Sequence, residues 1–83
     1  MLEKTRLKEL LSKFPGGVES VEVSEGREMV ATIVSESFRD CDEADRQERV
    51  WNYLGEHLED ADLYSIEFIF TNAPGEDTSE AAA

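Results

Sequence analysis

Between Met29 and Pro74 the chain reads, without a break, as an apolar strand, an acidic amphipathic helix and a second apolar strand. That order constrains the fold more than anything else in the sequence. Met29-Val30-Ala31-Thr32-Ile33-Val34 is almost wholly apolar or β-branched, the composition of a strand covered on both faces, which places it at the centre of a sheet. After Phe38 the chain turns polar. Asp40 or Asp42 can cap a helix, with Glu43 or Asp45 three residues on, and these carboxylates also suit the positive end of a helix dipole. Val50, Leu54 and Leu58 then repeat every four residues with Trp51 beside them, the stripe of a helix lying on a sheet. Glu59-Asp60-Ala61-Asp62 is expected to close that helix. Tyr64, Ile66, Phe68 and Phe70 are expected on one face of the last strand, with Leu63 and Ile69 on the other.

Upstream, Leu2, Leu7, Leu10, Leu11 and Phe14 fall on one side of a helical wheel that Pro15-Gly16-Gly17 ends. In the following VESVEV segment, Val21 and Val23 alternate with Glu22 as in a half-buried strand, and Glu25-Gly26-Arg27 supplies a hairpin turn, for which Gly26 could take a positive φ. The expected fold class is therefore α+β: a single small domain in the order α-β-β-α-β, with a three-stranded mixed sheet and helices packed on one face. Residues 1–72 form this domain, and 73–83, rich in Pro, Gly, acids and Ala, read as a flexible acidic C-terminal tail. A core of this size yields only a few kcal/mol of net stability, with little room for a deep pocket.

Twenty acidic residues face eight basic ones, a formal charge of −12, and the basic groups gather in the first helix at Lys4, Arg6, Lys8 and Lys13. So negative a surface repels phosphate backbones and anionic lipid, which disfavours nucleic acid and membrane as partners. It serves equally as the solvated shell of a small soluble protein or of one working in concentrated salt. Met1–Ser12 includes acids and builds no continuous apolar run, so no secretory leader is expected, and no stretch is long enough to span a bilayer. The single cysteine, Cys41, allows no internal disulfide and fits a reducing cytosol. The expected location is cytoplasmic.

The segment Ile33–Val50, IVSESFRDCDEADRQERV, resembles the BolA family, whose fold is related to KH-type nucleic-acid domains. The family pattern has a strand ending in Val-Ser, then a Phe, an eight-residue gap and an Arg-His-Arg-type helix start before an apolar residue. Val34-Ser35, Phe38, Arg46 and Val50 occupy those places without a gap, and Leu63–Phe68 followed by Pro74 is similar to the family's last strand and its ending. The resemblance runs from about Leu2 to Pro74. It implies a monothiol glutaredoxin as partner, with which an iron–sulfur cluster can be shared. The side chains for that chemistry are missing here. Tyr64 stands at the family's ligand histidine, Gln47 replaces the histidine that follows the helix arginine, and the loop between the first strands is only SEGRE. Glu, Gln and neutral Tyr are poor donors to iron compared with thiolate or imidazole, so no cofactor is expected by that route.

Other constellations carry no chemistry. Cys41 lies among Asp40, Asp42, Glu43 and Asp45, with no activating base at hydrogen-bonding spacing. His57 is the one histidine, at a helix end where a structural role suffices. The 40–45 acidic run lacks the glycine and the closing glutamate of an EF-hand loop, and Gly16-Gly17 precedes a strand rather than a helix, so neither metal nor phosphate is implicated. Arg46 and Arg49 are first read as pairing with nearby acids along the helix. No catalytic residue and no metal ligand is expected. The reading is of a non-catalytic protein-interaction or regulatory module that meets a glutaredoxin-like or otherwise basic-faced protein through Arg46, Gln47, Arg49, Tyr53 and Tyr64. The alternative is a KH-like nucleic-acid-binding protein, which the net charge disfavours.

Overall fold

A computed structural model of the chain describes residues 2–75. Its elements are α1 (Lys4–Ser12), β1 (Ser20–Glu25), β2 (Met29–Val34), a 3₁₀ turn at Glu36–Phe38, α2 (Glu43–His57), α3 (Asp60–Tyr64) and β3 (Ile66–Asn72). The sheet order is β1-β2-β3, with β1 antiparallel and β3 parallel to the central β2. This is the expected α+β arrangement with a mixed three-stranded sheet. The two long helices and the inward positions of all three strands share one core, in which Leu7, Leu11, Ile33, Phe38, Val50, Leu54 and Ile69 are fully buried. Among the candidate caps, the Asp42 carboxylate is the one used: it accepts from the Asp45 backbone N–H at 2.9 Å, satisfying a donor that the first turn of α2 leaves open.

The last third departs from the sequence reading. Glu59–Asp62 does not simply end α2. The long helix stops at His57, and Asp60–Tyr64 forms the separate short helix α3. Tyr64 therefore belongs to a helix end and not to the last strand. The parity of β3 also shifts within the strand. Met29 is opposite Ile66 but Val30 is opposite Phe68, an irregularity that leaves Glu67 as an extra residue. One extra residue reverses the facing of what precedes it. Ile66 thus joins Ile69 and Thr71 on the buried side, while Phe68 and Phe70 point away from the core. The central strand is not covered on both faces as its composition implied. Val30 and Thr32, on its outer side, are only half-buried.

Glycine is needed at the end of α1, not in the hairpin. Gly16 and Gly17 have φ of 99° and 89°, whereas Gly26 has no positive φ. The β1–β2 connection instead spans Gly26–Glu28, between the paired Glu25 and Met29. At Gly16 the chain also lies against the 3₁₀ turn, where an added Cβ would come within 2.8 Å of the Ser37 Cβ. Ser35, fully buried, donates from Oγ to the Gly17 carbonyl and accepts from the Ser37 N–H at 3.1 Å, joining the two turns.

The tail expected over 73–83 lies outside the described residues from position 76 onward. Before that point Ala73 is fully buried and the Pro74 carbonyl accepts from Arg39 Nη2 at 3.0 Å. Arg39 also donates to both carboxylate oxygens of Glu36, at 2.6 and 2.9 Å, and this hydrogen bond holds the Glu36 carboxyl below its ordinary range.

Left-handed backbone alone should cost Gly17→Ala about 1 kcal/mol, since nothing lies near its missing Cβ. Gly16→Ala adds the collision with Ser37, so urea denaturation should show it to be the more destabilised variant, by about 1 kcal/mol or more. Equal midpoints would mean the turn relaxes freely.

Candidate functional site

The residues singled out by sequence are not gathered on one surface. Arg46, on the first half of α2, is 8% exposed. Its Nε donates to the Cys41 carbonyl at 2.9 Å, its Nη1 donates to the Thr71 carbonyl at 3.1 Å, and its guanidinium carbon stands 5.8 Å from the centre of the Phe38 ring. The sequence reading made it a surface residue paired with neighbouring acids; in the structure its hydrogen bonds run to backbone in the interior. Gln47 is half-buried. Its amide donates to the Ile69 carbonyl at 2.8 Å and to Glu43 at 3.0 Å, and its oxygen accepts from the Trp51 indole at 3.0 Å. Thr71 and Ile69 turn these carbonyls outward from β3, an edge strand, so Arg46 and Gln47 satisfy acceptors that an unprotected edge would offer to another chain.

Arg49 points to the opposite flank of α2. Its Nη1 donates to the Ser37 carbonyl at 3.2 Å and to Cys41 Sγ at 3.1 Å, and its guanidinium lies over the rings of Phe14 and Phe38 at 5.6 and 5.5 Å. The spatial neighbour of the Cys41 sulfur is thus a cation, although its sequence neighbours are carboxylates. Tyr53 is half-buried against α1, with its hydroxyl donating to the Leu10 carbonyl at 2.6 Å and its ring edge-on to Phe14 at 5.3 Å. Burial raises the Tyr53 phenol above its ordinary pKa of 10.0. His57 rests on the same ring at 4.7 Å, with Nδ1 3.0 Å from the Tyr53 carbonyl.

Tyr64 stands apart and is 82% exposed. It ends α3 at the start of β3, and from there the carbonyls held by Gln47 and Arg46 lie roughly 10 and 16 Å along the strand. At this corner the β1–β2 turn meets the α3–β3 junction, through a hydrogen bond from the Met29 N–H to the Ser65 carbonyl at 3.2 Å. A hollow of about 420 Å³ opens there, lined among others by Glu3, Glu25, Arg27, Glu28 and Ser65. Of the positions that the sequence resemblance assigns to cluster ligands, the β1–β2 loop meets the residue next to Tyr64 at this corner, while Gln47 lies away from it against β3. What the corner carries is carboxylate, guanidinium and hydroxyl, with neither thiolate nor imidazole. Cys41 and His57 sit elsewhere in the fold, and among the described residues no group of three or more His, Cys, Asp or Glu is placed to hold a metal ion. This donor set does not fit an iron–sulfur cluster, whose iron takes sulfur or imidazole.

The sequence matches no protein-family model and no curated protein. Its structure is similar to that of a BolA protein homologue from Coxiella burnetii, at a TM-score of 0.64 and 22% identity, over 92% of this chain and 96% of that one. It is also similar to a Bol-like protein from Babesia bovis, at a TM-score of 0.60 and 25% identity, over 98% of this chain and 95% of that one. The fold is BolA-like. Within this BolA-like frame the residues that carry the sequence resemblance are structural: Ser35 joins two turns, Phe38 and Val50 are fully buried, and Arg46 bonds to backbone from beneath α2. What sequence reasoning missed is the pair Phe68 and Phe70, whose outward facing was hidden by the irregularity at Glu67.

Two measurements check these assignments. Arg46→Ala leaves buried carbonyls at Cys41 and Thr71 without a donor and should cost about 2–4 kcal/mol in urea denaturation, where a surface arginine would cost under about 0.5 kcal/mol. Tyr53→Phe should cost about 1 kcal/mol at neutral pH. Because the folded state holds the Tyr53 proton more tightly, its contribution is complete below pH 10.0 and is lost as pH rises through the raised folded value. The stability gap between the native chain and Tyr53→Phe should therefore narrow above that pH, and a constant gap would refute the burial argument.

Proposed function

We propose that this chain is a BolA-like protein-interaction module that docks a partner in the cytoplasm and performs no chemistry of its own. The observation that carries the reading is the BolA-like architecture over nearly the whole chain, combined with a ligand corner stripped of soft donors. The partner is a monothiol glutaredoxin or another protein that presents a basic face, since opposite charge speeds encounter with a surface of formal charge −12. The contact centres on Tyr64, an open aromatic ring of the kind that anchors protein interfaces. Gln47, Arg49 and Tyr53 contribute the outer edges of α2, and Arg46 fixes that helix in place beneath them. No cluster is shared.

The test is a ¹⁵N-HSQC titration of the chain with a monothiol glutaredoxin, with and without iron and sulfide, and in parallel with a short single-stranded RNA. The expected result is a set of shifts at Tyr64 and along α2 that appears with glutaredoxin, weakens as salt rises, and brings no visible cluster absorbance. Tyr64→His, which returns an imidazole to the corner, should then add absorbance without abolishing the shifts. Cluster absorbance with the native chain would overturn the donor argument, and no shifts with glutaredoxin would remove that partner. Shifts with RNA that vanish steeply with salt would restore the nucleic-acid alternative.

A further inference from the structure

The side of the sheet turned away from α1 and α2 is uncovered among the described residues. The strand register sets out its middle as two rows: Ser24, Val30 and Phe68, then Glu22, Thr32 and Phe70. Phe68 and Phe70 are 41% and 50% exposed, with ring centres 4.8 Å apart and edge to face. Single exposed apolar residues are ordinary on a protein surface. Two adjoining phenyl rings continuous with Val30 make a patch, and patches mark contact sites. At the β1 margin, Lys4 and Lys8 of α1 join Glu22, Ser24, Val30 and Thr32 around a shallow cavity of about 320 Å³. None of the Lys4, Lys8 and Glu22 side chains forms a hydrogen bond or ion pair with a described residue.

We propose that this face is a self-association surface, on which two copies of the chain pack sheet to sheet about a two-fold axis. The argument is charge complementarity. One margin of the face carries both signs, with side chains unpaired among the described residues. A two-fold axis running across the strands sets β3 of each copy over β3 of the other and β1 over β1, with strand directions opposed. The phenyl pairs then meet each other, and Glu22 of each copy comes within reach of a lysine of the other. The charge distribution favours the same arrangement. Nine of the twenty carboxylates lie between Asp40 and Asp62, on and around α2 and α3. In this packing that helix layer, about 10 Å thick, faces away from the second copy, which lowers the repulsion between the two and leaves a remainder that added salt screens. A nucleic acid on this face would find two lysines beside a glutamate, too few cations for the phosphates it would bring.

The face is small. Three strands of six or seven residues cover about 14 by 20 Å, so two copies bury well under the roughly 1,200 Å² of a stable interface. The dimer is accordingly weak and concentration-dependent. Because each copy carries a charge of −12, screening should strengthen it: association tightens from about 0.1 M to about 1 M salt, the reverse of nucleic-acid binding.

Sedimentation equilibrium on the full chain up to about 1 mM, with a ¹⁵N-HSQC concentration series, tests this. The expected result is a monomer–dimer equilibrium that tightens with salt, with concentration-dependent shifts at Val30, Thr32, Phe68 and Phe70. The double variant Phe68→Ser/Phe70→Ser should weaken it by about tenfold or more. Glu22→Lys, which leaves only cations at the margin and removes no apolar group, should weaken it independently of any effect of the double variant on folding. A chain that stays monomeric at the highest concentration and salt overturns the proposal, as do shifts that map elsewhere or a Glu22→Lys chain that associates as tightly as the native one. Shifts on this face with a short oligothymidine at low salt, in the absence of self-association, would also overturn it and make the face a nucleic-acid platform.

Discussion

Arg46 holds together three parts of the chain that are far apart in sequence. From the first half of α2 its guanidinium reaches the carbonyl of Cys41, in the turn before the helix, and the carbonyl of Thr71, near the end of β3, while it lies beside the ring of Phe38. A guanidinium stays charged at any ordinary pH, so one taken out of water must be given acceptors, and backbone carbonyls that face the interior need donors in turn. Each requirement meets the other here. The position of α2 over the sheet, the closing of the 3₁₀ turn and the docking of β3 beside β2 all follow from that exchange. The buried carbonyl of Thr71 would otherwise be an open edge, and the helix could slide.

The same logic extends along the rest of α2. Gln47 satisfies the Ile69 carbonyl, Arg49 binds the 3₁₀ turn through Ser37, and Tyr53 satisfies the Leu10 carbonyl at the end of α1. Four polar side chains on one helix thus act as ties to four other segments, and the apolar stripe of Val50 and Leu54 lies between them. In a domain this small the apolar core alone is thin, and directional bonds of this kind select one packing from several of similar burial. The consequence for function is direct. Most of the residues that look from sequence like a binding surface also tie the fold together, and the large apolar groups most open among the described residues are Tyr64 at one corner and the phenyl pair on the sheet.

The likeness to BolA structures and the missing ligands are compatible once these roles are separated. The residues by which the chain resembles that family, Ser35, Phe38, Arg46 and Val50, are those that build the frame. The chemistry associated with the family depends instead on donors at the corner where the β1–β2 turn meets Tyr64 and Ser65. Frame and donors are physically independent, because the β1–β2 turn and Tyr64 are exposed and do not belong to the core cluster. A chain can therefore keep one while carrying carboxylates and a phenol in place of the other.

Periodicity determined the element order, the one-sided face of α1 and the α+β class, because burial on one side of a helix or strand writes a repeat of fixed length into the sequence, while the apolar composition of Met29–Val34 pointed to its central place. Composition determined the charge and the small core. Three things were decided only by tertiary structure. The irregularity at Glu67 turned Phe68 and Phe70 outward, since one extra residue in a strand reverses its facing, and the alternation of Ile66, Phe68 and Phe70 around Glu67 reads as a regular strand. Tyr64 went to the end of a short helix, because the acids of Glu59–Asp62 suit the positive end of a new helix dipole and not the close of the preceding helix. Arg46 went inside, because its partners are backbone carbonyls, which every residue has and no sequence motif can reveal.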